Sequence, residues 1–300
     1  SSRLQLLDMK RPREEASVFP VPAPLEGRFV LYGNICLDCV LEVPSYPKED
    51  SFHRASSSRK STGGNCANST TVLAELLGAR PRTLASCVGA IPTREEQDAA
   101  FAMSTLEAAG VDTSLVEEVK DGSGLPSSFV LLSQDSGSRT IVSSRRGLRE
   151  LDAEHFNMVL EKAGSEAAVK GSMCWCHLEC RQMPGALRMA QILRPSGLPE
   201  CLYPAGKAPI LSVEVEKPSM EPSAVIPLLQ LCDLAFFSSD FVRSRAEELG
   251  GGAEDFEEDQ TCWRSHLALR CLRAFSKKVG CERSLWVCPY GSLGAFALDT

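Results

Sequence analysis

No apolar run in this 300-residue chain approaches the ~18–20 residues that a helix needs to span a bilayer, and no signal-peptide core follows the first residues. A cytoplasmic protein with no membrane partner is the expectation. A long basic stripe is missing as well. The 39 acidic residues are interspersed with 32 basic ones, leaving a net charge of −7. That balance argues against a nucleic-acid partner, because phosphate backbones are held mainly by clustered Lys and Arg. The one basic cluster, Lys10-Arg11-Pro12-Arg13, lies in a proline-rich stretch and reads as a solvated tail. Histidine is scarce. His53, His155, His177 and His266 are scattered, and no catalytic role follows from their spacing.

Three chemical signatures are also absent. There is no G-x-x-x-x-G-K-[ST], no G-x-G-x-x-G between a strand and a helix, and no G-x-S-x-G. A P-loop nucleotidase, a dinucleotide-binding unit and a serine-elbow hydrolase are thereby excluded.

Cysteine, by contrast, is plentiful, but its count of 13 is odd and its spacing irregular. Cys174, Cys176, His177 and Cys180 stand too close together for the usual zinc pattern, and no second cluster matches them. Met173–Leu178 alternates as a buried strand does, where a free cysteine acts as a small hydrophobe. No metal site is expected.

An apolar content of 43% supports a real core. Residues 1–27, with Pro12, Pro20, Pro22, Pro24 and many charges, read as a disordered extension, and residues 28–300 as the folded domain. The initial serine suggests a fragment. Strands are expected at Phe29–Ile35, Thr83–Ala90, Met173–Leu178, Ile210–Val215, Leu234–Phe237 and Leu285–Cys288. Ser128–Ser133 and Arg139–Ser143 flank a hairpin signal. Helices are expected near Cys66–Leu77, with Val72, Leu73, Leu76 and Leu77 on one face, and after a capping box at Thr93 and Glu96. Further helices are expected near 152–163, 185–193, 223–231, 241–249 and 259–278. Alternating strands and helices predict an α/β fold: a mainly parallel sheet covered on both faces.

In such sheets the ligand lies beyond the carboxyl ends of the strands. That rule selects Asp38, Gly63–Asn68, Glu179–Arg181, Glu214–Lys217, Ser238–Asp240 and Gly291–Gly294. The stretch STGGNCANST is the most specific of these. Glycines at a helix start let a ligand approach the backbone, whose first N–H groups are unpaired. Asn65 and Asn68, three apart, share one helix face. They offer amides to neighbouring hydroxyls, or Asn65 simply caps the helix; spacing alone leaves both open. Asp38 can accept from two adjacent sugar hydroxyls.

Gly33-Asn34-Ile35-Cys36-Leu37-Asp38 and Gly63-Gly64-Asn65-Cys66-Ala67-Asn68 resemble the N-terminal signature of the ribokinase (PfkB) family of carbohydrate kinases. Support comes from Tyr46–Ser51, Gly110-Val111-Asp112, Pro126-Ser127-Ser128, Ser138–Val142 and, above all, Val213-Glu214-Val215-Glu216-Lys217-Pro218. The resemblance spans residues 28–298. It implies a ribokinase-like fold with a small β-sheet lid, or clasp, near Glu42–Lys60, and a homodimer formed through that lid. It implies transfer of the ATP γ-phosphoryl, with Mg2+, to a small-molecule sugar. The segment around Val213–Pro218 favours a ketose, D-fructose giving fructose 1-phosphate.

Asp38, Gly64, Asn65 and Asn68 match sugar-binding positions, and Glu179 and Arg181 resemble polar strand-end positions facing the sugar. Arg139 matches an arginine on the nucleotide phosphates, Glu216 a position near the magnesium–phosphate region, and Gly291-Ser292-Leu293-Gly294 the turn where ATP lies. Ser292 departs from the acidic residue usual there. The D-T-x-G-A-G-D segment that supplies the family's catalytic aspartate does not occur. Gly251–Asp255 resembles it only in composition, so the base is expected beyond Thr300 and this chain is expected to be inactive. The alternatives are a non-catalytic sugar-binding or dimerising relative, and a kinase for ribose or a nucleoside.

Overall fold

A computed structural model describes residues 27–78, 83–194, 208–252, 266–281 and 284–300. The expected extension before residue 27, the start of the helix expected near 259–278 and part of Gly251–Asp255 lie outside them. The chain begins β1 (Gly27–Tyr32), β2 (Cys36–Val43), β3 (Ser57–Gly63), α1 (Asn65–Leu77), β4 (Thr83–Val88), β5 (Ala90–Ile91) and α2 (Gln97–Ala108). It continues with β6 (Glu117–Glu118), β7 (Ser127–Ser133), β8 (Arg139–Ser144), α3 (Ala153–Ser165), α4 (Ala167–Lys170), β9 (Met173–Glu179) and α5 (Met183–Leu193). Then follow β10 (Ile210–Val215), α6 (Pro222–Leu229), β11 (Leu234–Phe237), α7 (Ser239–Ser244), α8 (Leu267–Val279), β12 (Leu285–Pro289) and β13 (Ala295–Asp299).

Seven strands form the main sheet in the order β13-β12-β11-β10-β9-β1-β4, all parallel except the edge strand β13. β1 is buried along its whole length, as a central parallel strand must be, and from Phe29 to Tyr32 it reads as an apolar run. Val30 and Tyr32 face a core built with α3, α5, α6, α7 and α8, whereas Phe29 and Leu31 face α1 and α2. From β1 the chain first adds β4 on one side and later β9 to β12 on the other. The strand order therefore switches at β1, and the crevice outside its carboxyl end is where such folds bind ligands. On the α1 side, a groove of about 400 Å³ lies over β9 to β12, between Trp175, His177, Ser212, Phe236 and Pro289.

A second sheet, β3-β2-β7-β8, branches from the carboxyl end of β1: β2 starts at Cys36 shortly after β1 ends at Tyr32, and β3 runs into α1. This small sheet is wider than the segment near 42–60 where a lid is expected. It takes in the expected hairpin of β7 and β8, and its first strand starts at Cys36, before the polar segment begins.

Three local expectations are corrected. In α1 the inner residues are Cys66, Ala67, Thr70 and Ala74, while Val72 is 54% and Leu76 72% exposed. Small side chains at i, i+4 and i+8 let the helix lie close to β4 and β1, so its first turn stays at the strand ends. In α2 the cap is Glu96, whose carboxylate accepts from Ala99 N at 2.8 Å; Thr93 only lends its carbonyl to Glu96 N. The helix expected over 241–249 is shorter, ending at Ser244.

Candidate functional site

The strand β2 and the helix α1 meet through one register. Cys36 pairs with Gly63, and Asp38 with Ser61. Asp38 consequently leans over Gly63, where a Cβ would overlap its carboxylate. Gly64 caps α1 with φ 97°, a conformation open to glycine, and its missing side chain lets the chain pass the Asn34 carbonyl. Both glycines of STGGNCANST are thus required by close approach. Asn65 does not cap the helix; the cap is Gly64, without a side-chain bond.

The polar groups divide into free and engaged. Asp38 receives only the Cys36 thiol at 3.6 Å among the described residues. Burial first, then Asp38, pushes that thiol up to about 12, so it stays protonated and donates. Asn68 is exposed and its side chain has no partner among the described residues. Glu179, in contrast, is fully used: Oε2 accepts from Asn34 N at 2.8 Å and Oε1 from Arg181 Nη1 at 3.1 Å. Arg181 also bonds Glu150 at 3.3 Å. Glu179 and Arg181 therefore hold the β1–β2 loop in place, and they wall a small cavity of about 90 Å³ with Tyr32, Asn34 and Asp152.

The strand-end rule included Glu214 but gave it no partner; its Oε1 accepts from Asn65 Nδ2 at 3.1 Å. The available signal was the one charged residue in β10, at the sheet's carboxyl edge. Burial, then the charges of Glu216 and Glu179, push Glu214 up to about 7, against the Asn65 bond and Arg181. Below it, His177 shares Ser212 Oγ with Trp175 Nε1, each at 2.8 Å, and burial holds the imidazole near 4, hence neutral.

The candidate nucleotide residues lie further out. Arg139 is exposed on β8 and has no ion pair among the described residues. It pairs with Leu132, whereas Asp38 is level with Ser128 and Ser143. Arg139 is therefore four residues, about 14 Å, along the small sheet from Asp38. Gly291, Ser292, Leu293 and Gly294 form an exposed single turn after β12, two strands from β10. Glu216 follows β10 directly, and its backbone oxygen takes the Ser238 hydroxyl at 2.5 Å. An unpaired guanidinium and an exposed glycine turn suit a phosphate-bearing ligand. No group of three or more His, Cys, Asp or Glu side chains among the described residues is arranged to hold a metal ion, and every described cysteine is free.

The family model "pfkB family carbohydrate kinase" matches residues 27–173. Ketohexokinase of Mus musculus is 29% identical over 218 residues, covering 73% of this chain. The chain spans 65% of the length of that relative. Ribokinase from Cryptococcus neoformans, solved in complex with ADP, aligns over 91% of this chain and 76% of its own, with a TM-score of 0.62 at 14% identity. Ribokinase of Arabidopsis thaliana, complexed with ribose and ATP, aligns over 92% and 76% with a TM-score of 0.61 at 16% identity. The fold is thus ribokinase-like.

Proposed function

We propose that this chain is a pfkB-family carbohydrate kinase, on the match of residues 27–173 to that family model and the similarity to mouse ketohexokinase, and that its cradle takes a ketose, D-fructose, as the substrate of a ketohexokinase-like phosphoryl transfer. The observation that carries this reading is the meeting of Asp38 with Gly63-Gly64 and the two asparagines at the strand-order switch. Asp38 offers two acceptor oxygens, Asn68 a free amide, and the start of α1 its first backbone N–H groups. Such a set orients adjacent hydroxyls by hydrogen bonds. ATP, with Mg2+, would lie toward Arg139, Glu216 and the turn Gly291–Gly294 and would supply the γ-phosphoryl group.

Transfer to the 1-hydroxyl gives fructose 1-phosphate and ADP, and the hydroxyl proton needs a base. The D-T-x-G-A-G-D segment that would provide it does not occur in these 300 residues. We therefore expect this polypeptide to bind the sugar with negligible turnover, a property it would share with a non-catalytic sugar-binding relative. A second copy is the proposed partner, held against the lid, where Phe129 and Val142 pair across strands and are 51% and 63% exposed. Free cysteines throughout the described residues accord with a reducing, cytoplasmic setting.

A coupled assay of ADP release, run with D-fructose, D-ribose and a nucleoside beside a binding titration of each, tests the reading. Fructose should bind most tightly and no sugar should be turned over appreciably. Preference for ribose or the nucleoside would move the chain to another branch of the family, and robust turnover would refute the missing-base argument.

A further inference from the structure

Near the end of β10, Glu214 is the one charged residue of the strand, and its carboxylate reaches Asn65 across the span of two strands, β9 and β1. An asparagine amide has a donor end and an acceptor end. With Nδ2 taken by Glu214, the acceptor end Oδ1 has no partner among the described residues. A carboxylate can only accept. It therefore selects this orientation of Asn65 and disfavours the flipped one, which would set Oδ1 lone pairs against carboxylate oxygens.

We propose that Glu214 is a positioning residue of the sugar site: by holding Asn65 Nδ2 it leaves Asn65 Oδ1 as an acceptor, so that the cradle recognises a ligand hydroxyl that donates. This rests on the sugar-binding reading above. The groups around Glu214 are Asn65 of α1, His177, Glu179, Cys180 and Arg181 of β9 and its following turn, and Glu216 beyond β10. Glu179 is already pinned by Asn34 and Arg181, which leaves Glu214 as the carboxylate facing Asn65.

The test uses the whole chain at pH 8, with Asn65→Ala, Glu214→Ala, the double variant and Glu214→Gln. Deoxy and deoxyfluoro analogues of fructose are titrated beside fructose itself. Each single alanine variant should weaken fructose about 10-fold, as for one lost hydrogen bond to a polar group. The double variant should lose no more than Asn65→Ala alone, because one device has been removed twice. Glu214→Gln, whose amide oxygen can still accept from Nδ2, should restore most of the affinity.

Wild type should reject one deoxyfluoro analogue as strongly as its deoxy counterpart, since fluorine cannot donate. Glu214→Ala should lose that discrimination. A readout without sugar is the Asn65 side-chain amide in [15N]asparagine-labelled protein, assigned by its disappearance in Asn65→Ala. Its protons should exchange slowly in wild type and fast in Glu214→Ala. Additive losses, or an amide signal indifferent to Glu214→Ala, would overturn the role of Glu214. Wild type that binds no fructose, with an amide that does respond, would instead overturn the sugar reading and with it the role of Oδ1.

Discussion

The two ends of the central strands treat charge in opposite ways. At the amino end Arg28 is wholly buried, yet each nitrogen of its guanidinium donates to a partner. Nε donates to Ser86 (2.7 Å), Nη1 to Glu166 (3.0 Å), and Nη2 to both Asp112 and Ser114. Desolvation would raise Asp112, but Arg28 and the Ser114 and Ser86 hydroxyls outweigh it and hold the acid at about 2. At the carboxyl end Glu214 is buried beside the charges of Glu216 and Glu179, with Arg181 only a partial offset, and it rises to about 7. Asp38 and Asn68 are left with almost nothing to bind. One end is closed by matched charges, and the other keeps unmatched groups where a ligand can satisfy them. Perturbation of this second kind is what a functional site shows.

The contrast predicts where damage falls. Arg28→Ala would empty a wholly buried position and take from Asp112 its main partner, leaving Lys170 to pair with Asp112 and Glu166, and should cost about 3 kcal/mol in urea unfolding; a loss below about 1 kcal/mol would mean that the cluster adds little. The pH responses should run in opposite directions. Asp112, lowered in the fold, contributes stability above its ordinary value near 4 that is lost as pH falls through about 2, on the order of 2 kcal/mol. Glu214, raised in the fold, contributes stability below about 4.5 that is lost as pH rises through about 7. Glu214→Gln should therefore melt above wild type at pH 8 and close to it at pH 4.5, and equal shifts at both values would remove the contrast. Smallest of all, Val72→Lys with Leu76→Lys should change stability by about 0.5 kcal/mol or less, because both side chains are largely in water.

Much of this was legible in sequence, for definable reasons. The alternation of apolar strands with helices is a direct consequence of a parallel sheet covered on both faces, and the glycine pair at the start of α1 marked a close approach of backbone and side chain. The errors arose where tertiary proximity overrode local pattern. Leu76 matched a helical apolar face, but α1 lies too close to the sheet for large residues there, and alanine, cysteine and threonine took the inner positions. Thr93 and Glu96 fitted a capping box, yet the chain turns once more and Glu96 itself becomes the cap. Cys36–Val43 passed unread because a strand half open to solvent shows no clean alternation. The Asn65–Glu214 bond joins residues 149 apart, a separation at which no spacing rule operates.

The central claim is that the carboxyl end is a sugar site whose key acceptor is Asp38. Calorimetric titration of D-fructose into wild type and Asp38→Ala tests it most directly. Wild type should bind, and the variant should bind about 10- to 100-fold more weakly, as for loss of a charged acceptor, with an unchanged melting temperature. Equal affinity in the two proteins would contradict the account.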